Sequence, residues 1–314
     1  MSKISVIGAG SVGATIANDL MILGLASEIV LIDINKKKAI GEALDIYQSA
    51  PFCSPAIVHS GEYEDAADSD IVIITSGVAR KPGMTRLDLA QTNVNILKSI
   101  TPSIVSVAPN AIYILVSNPV DILTYVFHKI SGLPENQIIG SGTILDTSRL
   151  QSTLAKRFCI SPKNVHAHVF GEHGDSSFVP WSLANIANVH VDEYATSSPD
   201  AARIDWNRDY QAVEDYVRRS GAVIIENKGA TFYAVSMSVC HICRCIFNGA
   251  GTALTVSTMM HGEYGVSDVC LSTLTVIDRK GVRGIIKNPL TDHELSLLHN
   301  SAEKLRSVIA QIQI

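Results

Sequence analysis

Two short segments carry residue types that could move a proton on an acidic substrate. One is Gly171-Glu172-His173-Gly174-Asp175 and the other, earlier in the chain, is Leu145-Asp146-Thr147-Ser148-Arg149. His173 titrates near neutrality, Asp146 could orient its imidazole, and Arg149 could hold an anion, provided the fold brings the two segments together. A third segment concerns a different reactant. Gly8-Ala9-Gly10-Ser11-Val12-Gly13 follows the apolar run Ile4-Ser5-Val6-Ile7, opens a helical pattern, and is followed by Asp33 at the end of Ile29-Val30-Leu31-Ile32. Strand, glycine turn, helix, strand and acid in that order form a dinucleotide-binding fingerprint.

The three glycines do different things. Gly8 permits the tight bend, Gly10 lets the backbone approach a pyrophosphate, and Gly13 lets the helix pack closely on the strand. The helix N-terminus then offers N–H groups and a positive dipole end to the phosphates. Asp33 can accept hydrogen bonds from a ribose diol and would repel a 2′-phosphate, so NAD is the expected cofactor rather than NADP.

These residues need a scaffold. The runs at 4–7, 29–32, 71–75 and 112–116 are continuously apolar, as strands covered on both faces are. The helix after the glycine turn carries Val12, Ile16, Leu20 and Leu23 on one stripe. Residues 1–140 therefore read as an α/β, doubly wound parallel sheet of Rossmann type. Longer helical stretches at 212–226 and 233–247, with short strands such as 165–170, place a second, α+β substrate domain at 141–314. The cleft between the lobes is expected at the carboxyl ends of the parallel strands.

Two further segments end strands on that side. In Ser117-Asn118-Pro119, Asn118 can both donate and accept hydrogen bonds. The stretch from Ser76 to Arg86 is rich in loop formers, and it carries Arg80 and Arg86 on either side of Lys81-Pro82-Gly83. It reads as a lid that closes over an anion.

Other motifs are set aside. Tyr125 and Lys129 have the spacing of the short-chain dehydrogenase pair, but the glycine turn has the wrong spacing for that family, so they read as neighbours on a helix. Cys240-His241-Ile242-Cys243-Arg244-Cys245 lacks a matching second pair of metal ligands, and no metal site is expected. The six cysteines read as reduced core thiols. A net charge of −5 offers no basic field to nucleic acid or a membrane surface. No apolar run reaches the length of a membrane span, the first strand starts too early to leave room for a leader, and a cytoplasmic location is expected.

Taken together, these segments resemble the L-lactate and L-malate dehydrogenase family along essentially the whole chain. The matching segments are the glycine turn with Asp33, Lys81-Pro82-Gly83 with Arg86, Ser117-Asn118-Pro119-Val120-Asp121, Gly140-Ser141-Gly142-Thr143 with Asp146 and Arg149, the His173 segment, and Lys228-Gly229-Ala230-Thr231. The resemblance implies an NAD-dependent hydride transfer between a small 2-hydroxy acid and its 2-oxo acid. It implies that His173 exchanges the hydroxyl proton, Asp146 holds the imidazole, and Arg149 grips the substrate carboxylate with two prongs. By the same resemblance Arg86 polarises the carbonyl from the lid, Asn118 touches substrate and cofactor, Ser141 lies near the nicotinamide, and Thr231 lines the pocket.

Substrate choice rests on Arg80. The resemblance implies a glutamine at its position in lactate enzymes and an arginine in malate enzymes. Closing a lid over a methyl group would leave that guanidinium unpaired, which leans the expectation to oxaloacetate and L-malate. The segments around Arg86 and Thr231 resemble bacterial lactate dehydrogenases instead, keeping pyruvate and L-lactate open, as well as a broad 2-hydroxyacid dehydrogenase. A non-catalytic NAD-binding protein is the alternative of a different class, and the retained His173, Asp146, Arg149 and Arg86 argue against it. The resemblance also implies a homo-oligomer, with a tetramer favoured. It further implies an arginine, beside the histidine matched by His166, in relatives that bind fructose 1,6-bisphosphate. Gln151 stands there instead, so activation by that sugar bisphosphate is not expected.

Overall fold

Continuous β-branched runs form strands that helices can cover on both sides. The computed structural model describes residues 2–79, 83–204 and 206–314. Its first part alternates strand and helix: β1 (Lys3–Ile7), α1 (Ser11–Ile22), β2 (Glu28–Ile32), α2 (Lys36–Tyr47), β3 (Ile57–Ser60), β4 (Ile71–Ile74), α3 (Arg86–Val107), β5 (Ile112–Leu115), α4 (Val120–Ser131), β6 (Ile138–Gly140) and α5 (Ile144–Arg157). Every residue of β4 and β5 is buried, as strands in mid-sheet should be.

The second part holds β7 (Val165–His166), β8 (Asn185–Ile186), β9 (Val189–His190), α6 (Val191–Ser197), α7 (Tyr210–Lys228), α8 (Tyr233–Asn248), β10 (Thr252–His261), β11 (Ser267–Asp278), β12 (Gly281–Ile285) and α9 (Asp292–Ile309). The strand expected over 165–170 is shorter than the sequence suggests. It ends at His166, and Phe170 joins only an isolated bridge to Phe178. The apolar run continues beyond His166 because Ala167, Val169 and Phe170 are packed inside the protein, so the run marks burial rather than ladder pairing.

Among the described residues nine strands form one sheet in the order β3-β2-β1-β4-β5-β6-β10-β11-β12. The six strands from β3 to β6 are parallel. At Gly140 the sheet continues without a break into the second part, where β10 joins β6 antiparallel through Ser257. β1 lies between β2 and β4, so the strand order reverses there and a crevice opens beyond the carboxyl ends of β1 and β4. The glycine turn and the start of the lid segment both leave the sheet at that point.

Helix α8 covers α1, joined by a Ser236 Oγ to Asp19 hydrogen bond of 2.5 Å. It buries Cys240, Cys243 and Cys245, whose thiols are pushed up by burial. Cys270 is buried too, whereas Cys159 is exposed and departs from the core-thiol expectation. Tyr125 and Lys129 both reach Asp268, the lysine at 2.7 Å, and neither lines the cavity described below. No helix among the described residues is long and apolar enough to cross a membrane.

Candidate active site

Two buried threonines at the start of α5 bring the two proton-transfer segments together. Thr143 Oγ1 donates to the Val169 carbonyl at 2.5 Å, and the Val169 N–H donates to Thr147 Oγ1 at 2.9 Å. The chain before His173 is thereby laid along α5. Gly171 then exchanges two backbone hydrogen bonds with Ser272 of β11, at 2.9 and 3.0 Å. Its φ of +91° and a Cβ position only 2.7 Å from Ser301 Oγ require glycine there. From that bend His173 Nδ1 reaches Asp146 Oδ2 at 2.5 Å.

Asp146 and Arg149 lie one helical turn apart, so they share a face of α5. Arg149 Nη1 donates to Asp146 Oδ1 at 2.9 Å, which gives each carboxylate oxygen its own cation. Burial works to raise the Asp146 carboxyl, but the charges and hydrogen bonds of His173 and Arg149 bring it below the ordinary range. Asp146 is therefore ionised. Its charge holds the His173 imidazole up at about 9 against the opposing effect of burial. With the Nδ1 proton donated to Asp146, Nε2 is left as the nitrogen that can exchange a proton with a substrate. The pair also stabilises the fold. That contribution is complete below the unfolded histidine pKa of about 6.5 and is lost as pH rises through about 9.

His173, Asp146 and Arg149 line one cavity of about 500 Å³ together with Asn118, Ser141 and Thr231. Thus six of the residues singled out in the sequence meet in one space. Arg86 does not line it. As the first residue of α3, beside a Thr85–Asp88 capping box, it pairs instead with Asp175 at 2.5 Å, and both side chains are 67% exposed. Arg80 lies outside the described residues.

The cofactor end is built from the glycine turn. A Cβ on Gly13 would stand 1.9 Å from the Gly8 carbonyl oxygen, so helix and turn could not approach as they do with any other residue. At Gly10 the same construction meets no atom within 4 Å, which leaves open space against the backbone at the start of α1. A pyrophosphate fits such a cradle. Asp33 Oδ2 accepts the Ala9 N–H at 2.7 Å and Oδ1 accepts the Asn35 N–H at 2.7 Å. The carboxylate thus fixes the turn and keeps a negative charge beside it. Replacing Asp33 by asparagine should keep an acceptor for Ala9 and remove that charge. The preference for NADH over NADPH, measured as the ratio of kcat/KM values, is expected to fall roughly ten- to a hundredfold.

Several supporting residues give little sequence signal. Asn93, buried in α3, accepts the Val78 N–H at 2.8 Å and donates to the Asn118 carbonyl at 2.6 Å. It ties the lid's root to the strand end that carries Asn118. Thr75 Oγ1 donates to the Gly8 carbonyl at 2.9 Å and steadies the glycine turn. Arg218 on α7 donates through Nε and Nη2 to the Ser177 carbonyl, at 3.1 and 2.9 Å, and so latches that helix to the His173 loop. A polar residue on an otherwise helical, partly apolar stretch is the only available cue for Asn93. No pattern marks Thr75 or Arg218.

Comparison with known proteins extends these observations over the whole length. Residues 2–140 match the family model described as lactate/malate dehydrogenase, NAD binding domain, and residues 143–313 match that described as lactate/malate dehydrogenase, alpha/beta C-terminal domain. The chain is 46% identical over 314 residues to an L-lactate dehydrogenase of Thermoanaerobacter sp. (strain X514), covering all of both chains. It is 47% identical over 311 residues to L-lactate dehydrogenase 1 of Clostridium acetobutylicum, covering 99% of this chain and 98% of that one. Among solved structures it is similar to a lactate dehydrogenase from a Medee basin deep-sea metagenome library. That likeness has a TM-score of 0.94 and 38% identity, with 98% of each chain covered.

Proposed function

The chain belongs to the lactate/malate dehydrogenase family of NAD-dependent L-2-hydroxyacid dehydrogenases, and from that premise we propose that it interconverts pyruvate and L-lactate. The observation that carries the chemistry is the His173–Asp146–Arg149 cluster in one cavity. What supports pyruvate over oxaloacetate is the set of full-length relatives, which are L-lactate dehydrogenases. They weigh against the lean to malate drawn from Arg80. The arginine at that position remains the specific observation favouring oxaloacetate as the second reading.

In the reducing direction, Arg149 holds the substrate carboxylate and the His173 Nε2 proton passes to the oxygen of the 2-oxo group. Bound NADH supplies the hydride that reduces the carbon, so one hydride and one proton together make the hydroxy acid. The lid brings Arg86 off Asp175 to the reacting carbonyl, where its charge favours the developing oxyanion. Asn118 and Thr231 set the orientation, with Asn118 and Ser141 on the nicotinamide side. In the oxidising direction His173 must be neutral to accept the hydroxyl proton.

The deciding experiment compares kcat/KM for pyruvate and oxaloacetate with NADH, for the wild type and for Arg80→Gln. A tenfold or larger preference of the wild type for pyruvate is expected, and a tenfold preference for oxaloacetate that disappears in Arg80→Gln would establish the second reading instead.

The two directions should depend on pH in opposite ways. Reduction needs protonated His173, so its kcat/KM is expected to be level around neutrality and to fall as pH rises through about 9. Oxidation of L-lactate should rise over the same interval. Initial rates from pH 6 to 10 would check this, and parallel profiles in both directions would exclude His173 as the titrating group.

A homo-oligomer, in particular a tetramer, belongs to the same reading. It is supported by the apolar stripe Ile40, Leu44 and Tyr47 exposed on α2, and light scattering would test it. Gln151 Nε2 is occupied by the Ala167 carbonyl at 3.3 Å, and His166 is exposed. Adding fructose 1,6-bisphosphate is expected to leave the substrate saturation curve unchanged.

A further inference from the structure

Three successive amides at the catalytic bend are held by three separate partners. The Gly171 N–H donates to the Ser272 carbonyl of β11, the Glu172 N–H to Ser301 Oγ of α9 at 2.7 Å, and the His173 N–H to Asp121 Oδ2 at 2.7 Å. Two of these acceptors are neutral. The third is a carboxylate only 3% exposed, on the first turn of α4, and its other oxygen accepts the Ser257 hydroxyl at 2.6 Å. Asp121 does not line the cavity that holds His173, Asp146 and Arg149.

We propose that Asp121 is a positioning residue, whose carboxylate holds the main chain of His173 so that the imidazole stands against Asp146. This rests on the dehydrogenase reading above. Burying an acid costs free energy that a neutral acceptor would not demand, and charge-assisted hydrogen bonds are the stronger and shorter kind. The site where that cost is met is the amide of the proton-exchanging residue. Asp121 also begins the helix that follows Asn118-Pro119, and Ser257 pairs with Gly140 beside Ser141. Through these neighbours it references His173 to Asn118 and Ser141, the residues expected around the reacting carbon and the nicotinamide. The space is fully used, since a Cβ on Gly140 would meet Thr124 Oγ1 at 2.3 Å and Ser257 Cβ at 2.9 Å.

Burial raises the Asp121 carboxyl to about 6, and the bonds from Ser257 and the His173 amide oppose that rise. It is therefore charged at neutral pH and adds to the attraction that keeps His173 protonated. The other charges acting on His173 are Asp146 and Arg149 from α5, while Glu172 of its own loop acts on Asp121 and Asp175, paired with Arg86 of α3, lines the same cavity. Cys270 of β11 lies near Asp121.

The test uses the full-length enzyme with Asp121→Ser, too short to reach the His173 amide, and Asp121→Asn, which keeps an acceptor of the right length. Pyruvate reduction gives kcat and KM, NADH fluorescence gives cofactor Kd, and the His173 ring proton is titrated by NMR, assigned by its loss in His173→Asn. Asp121→Ser is expected to lower kcat about a hundredfold, the scale of a 1 Å misplacement, with cofactor Kd within threefold of wild type. The His173 titration should move to lower pH. Asp121→Asn should recover kcat to within tenfold of wild type and lower the titration less. If Asp121→Ser merely loses stability while kcat per folded molecule stays within threefold, the proposal is overturned. Where Asp121→Ser does not fold, Asp121→Asn decides. A fall in its kcat of more than tenfold, or an unmoved His173 titration, overturns the proposal. If the wild type reduces neither pyruvate nor oxaloacetate, the dehydrogenase reading fails, and the NMR titrations still decide the role of Asp121.

Discussion

Replacing His173 by alanine is expected to lower kcat for pyruvate reduction at pH 7 by about a thousandfold, within the roughly 10²–10⁴ range for a positioned general acid. The imidazole is held protonated at neutral pH by a buried carboxylate that also orients it, and it keeps a second nitrogen for exchange. Asp146→Asn should cost nearly as much, because an amide no longer favours the Nδ1–H tautomer or the charged ring. In the double variant the losses should not fully add, since with the imidazole gone the carboxylate has no proton-exchanging group left to orient and holds only Arg149. Stopped-flow NADH oxidation would give the rates, and NADH fluorescence would show that the cofactor still binds. A His173→Ala enzyme within threefold of the wild-type kcat would remove the histidine from the chemistry.

Legibility in the sequence follows the range over which each residue's signal acts. The glycine turn, Asp33 and the buried strands are readable because a tight bend, a phosphate cradle and a doubly covered strand each impose local composition over a few residues. His173, Asp146 and Arg149 are readable because their types are costly to bury without a purpose. Their meeting in one cavity comes from Thr143 and Thr147, two ordinary hydroxyls whose partners lie over twenty residues away. Asp121 stands inside a matching motif, yet nothing local announces that its oxygens face an amide on another segment and Ser257 on β10. The continuation of the parallel sheet into the β10–β11–β12 hairpins is not legible either. The alternation of buried and exposed residues that marks a half-covered strand is missing from β10 and β11, which are buried on consecutive positions. Arg86 shows the remaining limit: its type and place at a helix start are legible, whereas its pairing with Asp175 depends on lid geometry that sequence spacing does not encode.

Arg149→Leu is expected to lower kcat/KM for pyruvate by about 10³, chiefly through KM. Its guanidinium side chain is only 13% exposed and stands with one edge on Asp146, which leaves its remaining donors for the substrate carboxylate. Removing it would leave that carboxylate unpaired in a partly desolvated cavity, a loss of about 3–5 kcal/mol, and each 1.36 kcal/mol is tenfold. Arg149→Lys keeps the charge but cannot present two parallel donors, so it should recover only part of the loss. A second effect separates Arg149 from a simple substrate clamp. Its positive charge opposes protonation of His173, while its hydrogen bond shares the charge of Asp146. Without it Asp146 acts on the imidazole alone, the His173 pKa rises above about 9, and the upper pH limit for reduction moves to higher pH in Arg149→Leu. Saturation curves between pH 7 and 10.5 would show both changes in one experiment. A raised KM with an unmoved limit would mean that Arg149 binds substrate without acting on the histidine, and an unchanged KM would dismiss it as the carboxylate's partner.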